Sequence, residues 1–188
     1  MSVNEEEKSR NECDFTNGRW QFRIQSVRQE SEHVLPGANE KSLPARITDA
    51  DQLLPVLEDL FLNQRLAVLC TQREGAPYGN LVAFSSADEL TRLVFVTPKA
   101  TRKFANITAD HRVAMLIDNR SNDSLDFSQA IAVTATGRAF DLKSEERERL
   151  LDGYLLKHPH LAEFAKSPSC AVISIEVETY YCVYRFQN

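Results

Sequence analysis

The chain has 188 residues, of which 43% are hydrophobic and 26% charged, and its formal net charge is −5. A domain of this size buries roughly two-thirds of its unfolded surface, so its stability requires neither a disulfide nor a structural metal. The acidic balance argues against a general nucleic-acid binder, which usually presents a basic face. No apolar run approaches the roughly 20 residues that span a bilayer, and the N-terminus lacks the order of a secretory signal, so we expect a cytoplasmic protein without membrane contact.

Residues 1–43 form a polar N-terminal extension that contains the acidic run Glu5-Glu6-Glu7. We interpret this segment as mostly disordered, because a single tryptophan with few apolar neighbours cannot build a core. The alternative is that the alternating stretch Trp20-Gln21-Phe22-Arg23-Ile24 forms a strand and docks on the domain or on a partner. Residues 44–188 are predicted to form the folded domain.

The folded domain is predicted to begin with a helix, because apolar residues recur there at helical spacing. These residues are Leu53, Leu54, Leu57, Leu60 and Phe61. Pro55 either kinks this helix or marks its first turn.

Strands dominate the rest of the chain. The predicted strands are 66–71, 78–85, 93–97, 113–117, 130–140, 170–177 and 180–186, and the first two form a hairpin around Glu74-Gly75. Short helices are predicted at 103–110, around Leu150 to Leu155, and from Pro159 to Phe164. Gly137 within a strand marks a bulge or a close approach of another backbone. Strands linked by hairpins, without regular strand–helix alternation, predict a mainly β fold: a closed antiparallel barrel with peripheral helices.

Cysteine and histidine residues give weak signals for metal or redox chemistry. Cys70, Cys170 and Cys182 lie in apolar runs without C-x-x-C spacing, so we interpret them as buried, reduced thiols. His158 and His160 flank Pro159 without a carboxylate or cysteine partner, which favours a surface role at a helix start over a metal site.

The segment from Thr97 to Lys103 carries the clearest chemical signal. Thr97 ends an apolar strand, and Thr101, Arg102 and Lys103 stand where the next helix is predicted to begin. An arginine fork, a lysine charge and the free N–H groups of a helix N-terminus together suit a phosphate. From these residues alone, a phosphate site and a solvated basic turn are equally good interpretations.

The stretch Leu93-Val94-Phe95-Val96-Thr97-Pro98-Lys99-Ala100-Thr101-Arg102-Lys103 resembles the FMN-binding stretch of the pyridoxamine 5′-phosphate oxidase-like family, the FMN-binding split barrels. In that family an apolar strand closed by Thr is followed by a three-residue spacer, a Ser or Thr, and Arg-Lys. The resemblance extends from about residue 44 to the C-terminus. It implies a closed antiparallel split β-barrel and a homodimer with FMN at the subunit interface.

The resemblance also implies roles for individual residues. Thr101, Arg102 and Lys103 would bind the FMN phosphate, with Val96 and Thr97 nearby. Val82, Ala83 and Phe84 would lie along the isoalloxazine ring through backbone groups and side chains. Asn119 and Arg120 would supply polar contacts to the flavin or its phosphate.

Three departures from the family pattern argue against vitamin B6 oxidation, while the flavin positions remain. Leu81 stands where the family's oxidases have an Arg, Ala132 stands where they have a Gln, and the C-terminal tail has no Arg-x-His element. We therefore expect an FMN-dependent oxidoreductase that acts on an unidentified small molecule or electron donor. The alternatives are a non-catalytic flavin-binding or sensor module, and a haem-binding or haem-degrading protein with His158 or His160 as axial ligand.

Overall fold

The computed structural model describes the backbone of residues 11–16, 19–24 and 50–184, and the side chains of residues 53–183. The strands are β1 (Asn11–Thr16), β2 (Arg19–Ile24), β3 (Leu66–Arg73), β4 (Ala76–Ala87), β5 (Arg92–Pro98), β6 (Arg112–Asp118), β7 (Ile131–Asp141) and β8 (Cys170–Tyr184). The helices are α1 (Ala50–Asn63), α2 (Arg102–Ala109), α3 (Asp126–Gln129), α4 (Ser144–Lys157) and α5 (Ala162–Lys166), with a 3₁₀ turn at Pro159–Leu161. None of these helices is long and apolar enough to cross a membrane.

Six strands close into an antiparallel barrel, as the sequence predicted. The sheet order is β2-β1-β8-β5-β4-β3-β6-β7, and β7 also pairs with β8, which closes the ring from β8 round to β7. Full closure leaves no free edge among these six strands. The two predicted C-terminal strands are one continuous strand, β8, so the prediction of a break near residue 178 is wrong.

The N-terminal residues that the structure describes form a β-hairpin. Strand β1 pairs with β2, and it also pairs with β8 at Cys13↔Tyr180. Strand β2 coincides with the alternating stretch around Trp20, and the interpretation of residues 1–43 as a mostly disordered extension stays a prediction. Residues 1–10 and 25–49 lie outside the described part of the chain, and the domain boundary at residue 44 stays a prediction.

Alternating side chains of the barrel strands form two apolar clusters. Along β5, Leu93 and Phe95 enter the barrel interior, together with Leu57 and Phe61 of α1. Val94 and Val96 point to the other side, where they pack against α4 and α5. Period-two alternation of a strand that is covered on both faces accounts for the unbroken apolar run in the sequence.

Gly137 lies where β7 meets β8 too closely for a side chain. The register of the two strands shifts between Thr136 and Gly137. A Cβ on Gly137 would stand 2.1 Å from the carbonyl oxygen of Glu176. The predicted bulge and close backbone approach are therefore confirmed.

Candidate cofactor site at the end of strand β5

Two threonine hydroxyls join the end of β5 to the start of α2. The Oγ1 atoms of Thr97 and Thr101 are 3.1 Å apart, and Thr101 Oγ1 donates to the carbonyl of Pro98 at 2.8 Å. Thr101 is also the N-cap of α2, since its side chain accepts from the amide of Phe104. Thr97 is buried, so the turn is held from the barrel side. The predicted start of this helix is correct to within one residue.

Arg102 and Lys103 occupy the first turn of α2, which contains no acidic residue. Neither side chain forms an ion pair with any described carboxylate, and the Arg102 guanidinium carbon lies 4.7 Å from the centre of the Tyr78 ring. The first N–H groups of a helix have no partner within the helix, and the helix dipole makes this end positive. The charges of Arg102 and Lys103 are repelled by the positive end of the helix dipole. A phosphate would be attracted both by these two charges and by the dipole. The arrangement thus has the donors and the charge that a phosphate requires.

A buried hydrogen-bond chain fixes α2 to the barrel wall. Asn106 Nδ2 donates to Thr71 Oγ1 at 3.0 Å, and Thr71 Oγ1 donates to the carbonyl of Tyr78 at 3.4 Å. Tyr78 therefore links this chain to Arg102 through its ring. The sequence analysis missed Tyr78, Thr71 and Asn106; a polar residue on the apolar side of the short helix was the available signal.

The predicted flavin-ring contacts point into the protein interior. Val82 and Phe84 belong to the barrel core, whereas Ala83 and Val96 pack toward α4 and α5. The Phe84 side chain is completely buried in the single chain, and the expected contacts of these residues with a flavin ring stay a prediction. The Phe84 carbonyl accepts a hydrogen bond from His158 Nε2 at 2.8 Å.

Asn119 and Arg120 lie in the loop after β6, apart from the Thr101 turn. Asn119 Oδ1 accepts from the amide of Ile131 at 2.7 Å, and Arg120 pairs with Asp118 at 3.1 Å. Strands β4 and β3 lie between β6 and β5, and the antiparallel order makes β5 and β6 run in opposite directions, so their C-terminal ends lie at opposite ends of the barrel. The structure therefore does not bring these two residues together with the phosphate-type turn of the same chain.

His158 and Cys70 occupy environments opposite to those expected. His158 is completely buried, and its Nε2 lies 2.8 Å from the carbonyl of Phe84, so a surface role is wrong. Because a carbonyl only accepts, Nε2 carries the proton of the neutral ring. Cys70 is exposed, because it points away from the barrel interior, whereas Cys170 and Cys182 are buried free thiols as expected.

Sequence and structure comparisons give one consistent assignment. The model of the pyridoxamine 5′-phosphate oxidase family matches residues 53–184. No curated protein shows significant similarity to the chain.

Three solved structures illustrate the similarity of fold. A heme binding protein from Mycobacterium smegmatis has a TM-score of 0.61 at 15% identity, covering 69% of this chain and 52% of its own, so the chain spans about half of that protein. A putative pyridoxamine 5′-phosphate oxidase from Listeria innocua has a TM-score of 0.54 at 18% identity, covering 70% and 98%. A FAD-binding protein from Mesorhizobium loti has a TM-score of 0.53 at 15% identity, covering 66% and 89%. The family match spans most of the described barrel, and the chain therefore belongs to the pyridoxamine 5′-phosphate oxidase family.

Proposed function

We propose that this chain is an FMN-binding flavoprotein, and that it acts as an FMN-dependent oxidoreductase on a small molecule. The observation that carries the proposal is the turn at Thr97–Thr101, which presents Arg102 and Lys103 at the N-terminus of α2 without an acidic partner among the described residues. The flavin would supply the redox chemistry, and the protein would bind and orient it.

A homodimer completes this proposal, because the outer face of the barrel is apolar over several strands. Strand pairing places Leu81, Val68, Leu116, Thr134 and Tyr181 side by side across β4, β3, β6, β7 and β8. Leu81 is 64% exposed in the single chain. A row without charges across five strands suits a second copy of the chain.

Haem is the alternative occupant, since the Mycobacterium smegmatis relative is a heme binding protein. An axial ligand would be required. His158 is buried with Nε2 on the Phe84 carbonyl, and so it does not serve as that ligand without rearrangement. The burial counts against His158 as the ligand but not against the exposed His160, so the identity of the chromophore has to decide between flavin and haem.

The first test identifies the chromophore of the purified protein by mass spectrometry after denaturation. We expect FMN, and recovery of haem would contradict the proposal.

Substitutions test the phosphate site. Replacing Arg102 and Lys103 together by alanine should cause loss of the flavin, whereas Lys99→Ala, which removes an exposed cation of the same turn, should retain it. Full flavin occupancy in the double variant would contradict the assigned phosphate site.

The second test separates an enzyme from a flavin-binding module. Anaerobic addition of NADH or NADPH should bleach the flavin, and air should restore its colour. A flavin that stays oxidised with both donors would favour the non-catalytic alternative.

The third test concerns the dimer. Leu81→Lys should yield monomers by analytical ultracentrifugation, while Leu156→Lys, at an exposed leucine of α4, should not. A dimeric Leu81→Lys variant would contradict the interface.

A further inference from the structure

A cleft lies between α1, the end of β4, and α4. Its volume is about 470 Å³, within the range of roughly 300–1,000 Å³ typical of small-molecule sites. The lining residues are Glu58, Phe61, Leu62, Ser85, Ser86, Leu90, Gly153, Leu156 and Lys157. Ser85 pairs with Val94, three residues before Thr97, so the cleft lies about 10 Å along the strands from the turn at Thr101.

Lys157 supplies a positive charge that the described residues do not neutralise. Its Nζ donates to the carbonyl of Phe61 at 2.6 Å and lies 4.1 Å from the centre of the Phe84 ring. The carbonyl belongs to the last turn of α1, so Lys157 satisfies one orphan acceptor of that helix. An ammonium group has three donors, and this contact uses one of them. Burial, together with the charge of Arg65, lowers the pKa of Lys157 to about 8, so its charged form lacks a stabilising anion among the described residues.

Ser85 supplies a hydrogen-bonding group without a partner. The residue is 4% exposed, and its Oγ is buried and makes no hydrogen bond. A buried hydroxyl without a partner costs free energy that a ligand would recover. One cation and one free hydroxyl therefore border the same cleft.

Apolar side chains form most of the remaining walls of the cleft. Phe61 and Leu90 are buried, whereas Leu156 is 87% exposed and Leu62 is 75% exposed. Covering two exposed leucines beside a cleft with an apolar group is favourable, because it removes apolar surface from water. Glu58 lines the same cleft and disfavours a second negative charge on an occupant.

We propose that this cleft binds a small monocarboxylate with an apolar body, whose carboxylate contacts the Lys157 ammonium and the Ser85 hydroxyl. The apolar body, a short chain or a single ring, covers Leu62 and Leu156. The proposal does not require flavin binding, since none of these residues belongs to the turn at Thr101.

The test is calorimetric titration of the full-length protein with 4-phenylbutyrate and with its neutral amide. The wild-type protein should bind the acid at least about tenfold more tightly than the amide, as expected for a hydrogen bond to a charged group. Lys157→Met should abolish this preference while preserving the apolar stem. Lys166→Met, at an exposed lysine of α5, is the matched control and should retain the preference.

Gly153→Leu tests the site without touching Lys157, in case Lys157→Met does not fold. A Cβ on Gly153 meets no atom within 4 Å, so leucine fits there and fills the cleft from α4. This variant should lose binding of the acid and keep its melting temperature and its flavin content. Failure of the wild-type protein to bind the acid, equal affinity for acid and amide, or unchanged binding by Gly153→Leu would overturn the proposal. The flavin content of each sample, measured separately, shows whether the cofactor proposal fails independently.

Discussion

The hydroxyl of Thr97 lies 3.1 Å from the hydroxyl of Thr101, and this contact connects the barrel to the helix that presents the candidate phosphate site. Thr97 is buried at the end of β5, whereas Thr101 is partly exposed and caps α2. The hydrogen bond between the two side chains therefore holds the N-terminus of α2 in a fixed orientation relative to the barrel. If the proposed phosphate binds here, such a preorganised turn avoids the cost of ordering a loop on binding.

Thr101→Ala should weaken both the helix and the cofactor site. Loss of the N-cap should lower the free energy of unfolding by about 1 kcal/mol. The same change removes a hydroxyl from the phosphate site, so FMN affinity should also fall. Thr101→Ser retains the hydroxyl and should be close to wild type in both properties. Urea denaturation and FMN titration measure the two effects, and an alanine variant that binds FMN normally would remove Thr101 from the site.

Lys103→Glu should stabilise the cofactor-free protein while it weakens FMN binding. Lys103 lies in the first turn of α2, where a positive side chain opposes the helix dipole. Reversing its charge should raise the free energy of unfolding by about 0.3–1 kcal/mol at low ionic strength. Urea denaturation of the cofactor-free protein measures this gain, which should shrink at high salt. A variant that is less stable than wild type at low salt would show that Lys103 has a favourable contact without ligand.

The sequence contained enough information for the barrel and for the turn, but not for the environment of single polar residues. Glu74 and Gly75 both adopt positive φ, as a tight hairpin turn requires, and Gly137 marks the predicted bulge. These features depend on local backbone geometry, which the residue type reveals. The burial of His158 depends instead on how α4 and the following turn pack over β4, which no local pattern encodes. Cys70 was assigned to the wrong face because a mostly apolar strand does not show which residues point inward.

Gly137→Ala tests the close approach of β7 and β8, because the added methyl group would clash with the carbonyl of Glu176. A Cβ at this position would meet three backbone atoms of β8 at 2.1–3.0 Å, and backbone cannot move aside cheaply. We expect a loss of at least about 3 kcal/mol in the free energy of unfolding, or an insoluble protein. Gly153→Ala is the matched control, because its Cβ enters open space on α4 and should stabilise the protein by about 0.5–1 kcal/mol. Equal stability of the two variants in urea would contradict the close approach.

His158 should make the stability of the protein depend on pH just below neutrality. Burial lowers its pKa from the ordinary 6.5, and the cations Lys157, His160 and Arg65 lower it further, against the opposing effect of the bond to Phe84. Its Nδ1 is buried without a partner, so a proton there would gain no acceptor. Between the folded-state pKa and 6.5 the unfolded chain binds more protons than the folded one. Stability is therefore complete above pH 6.5 and declines as the pH falls below it.

Urea denaturation between pH 5 and 8 measures this decline, and two glutamine variants assign it to one residue. His158→Gln keeps an N–H donor for the Phe84 carbonyl but cannot titrate, so its stability should vary less with pH. Its stability at neutral pH should be lower, because the tilted ring contact of His158 with Tyr154 is lost. His160→Gln removes a smaller influence on the same pKa and should change the slope much less than His158→Gln does. If His158→Gln retains the full decline, other groups cause it. Nitrogen chemical shifts of the His158 ring should then show a neutral ring with the proton on Nε2 at pH 7, because the 2.8 Å contact to a carbonyl requires a donor.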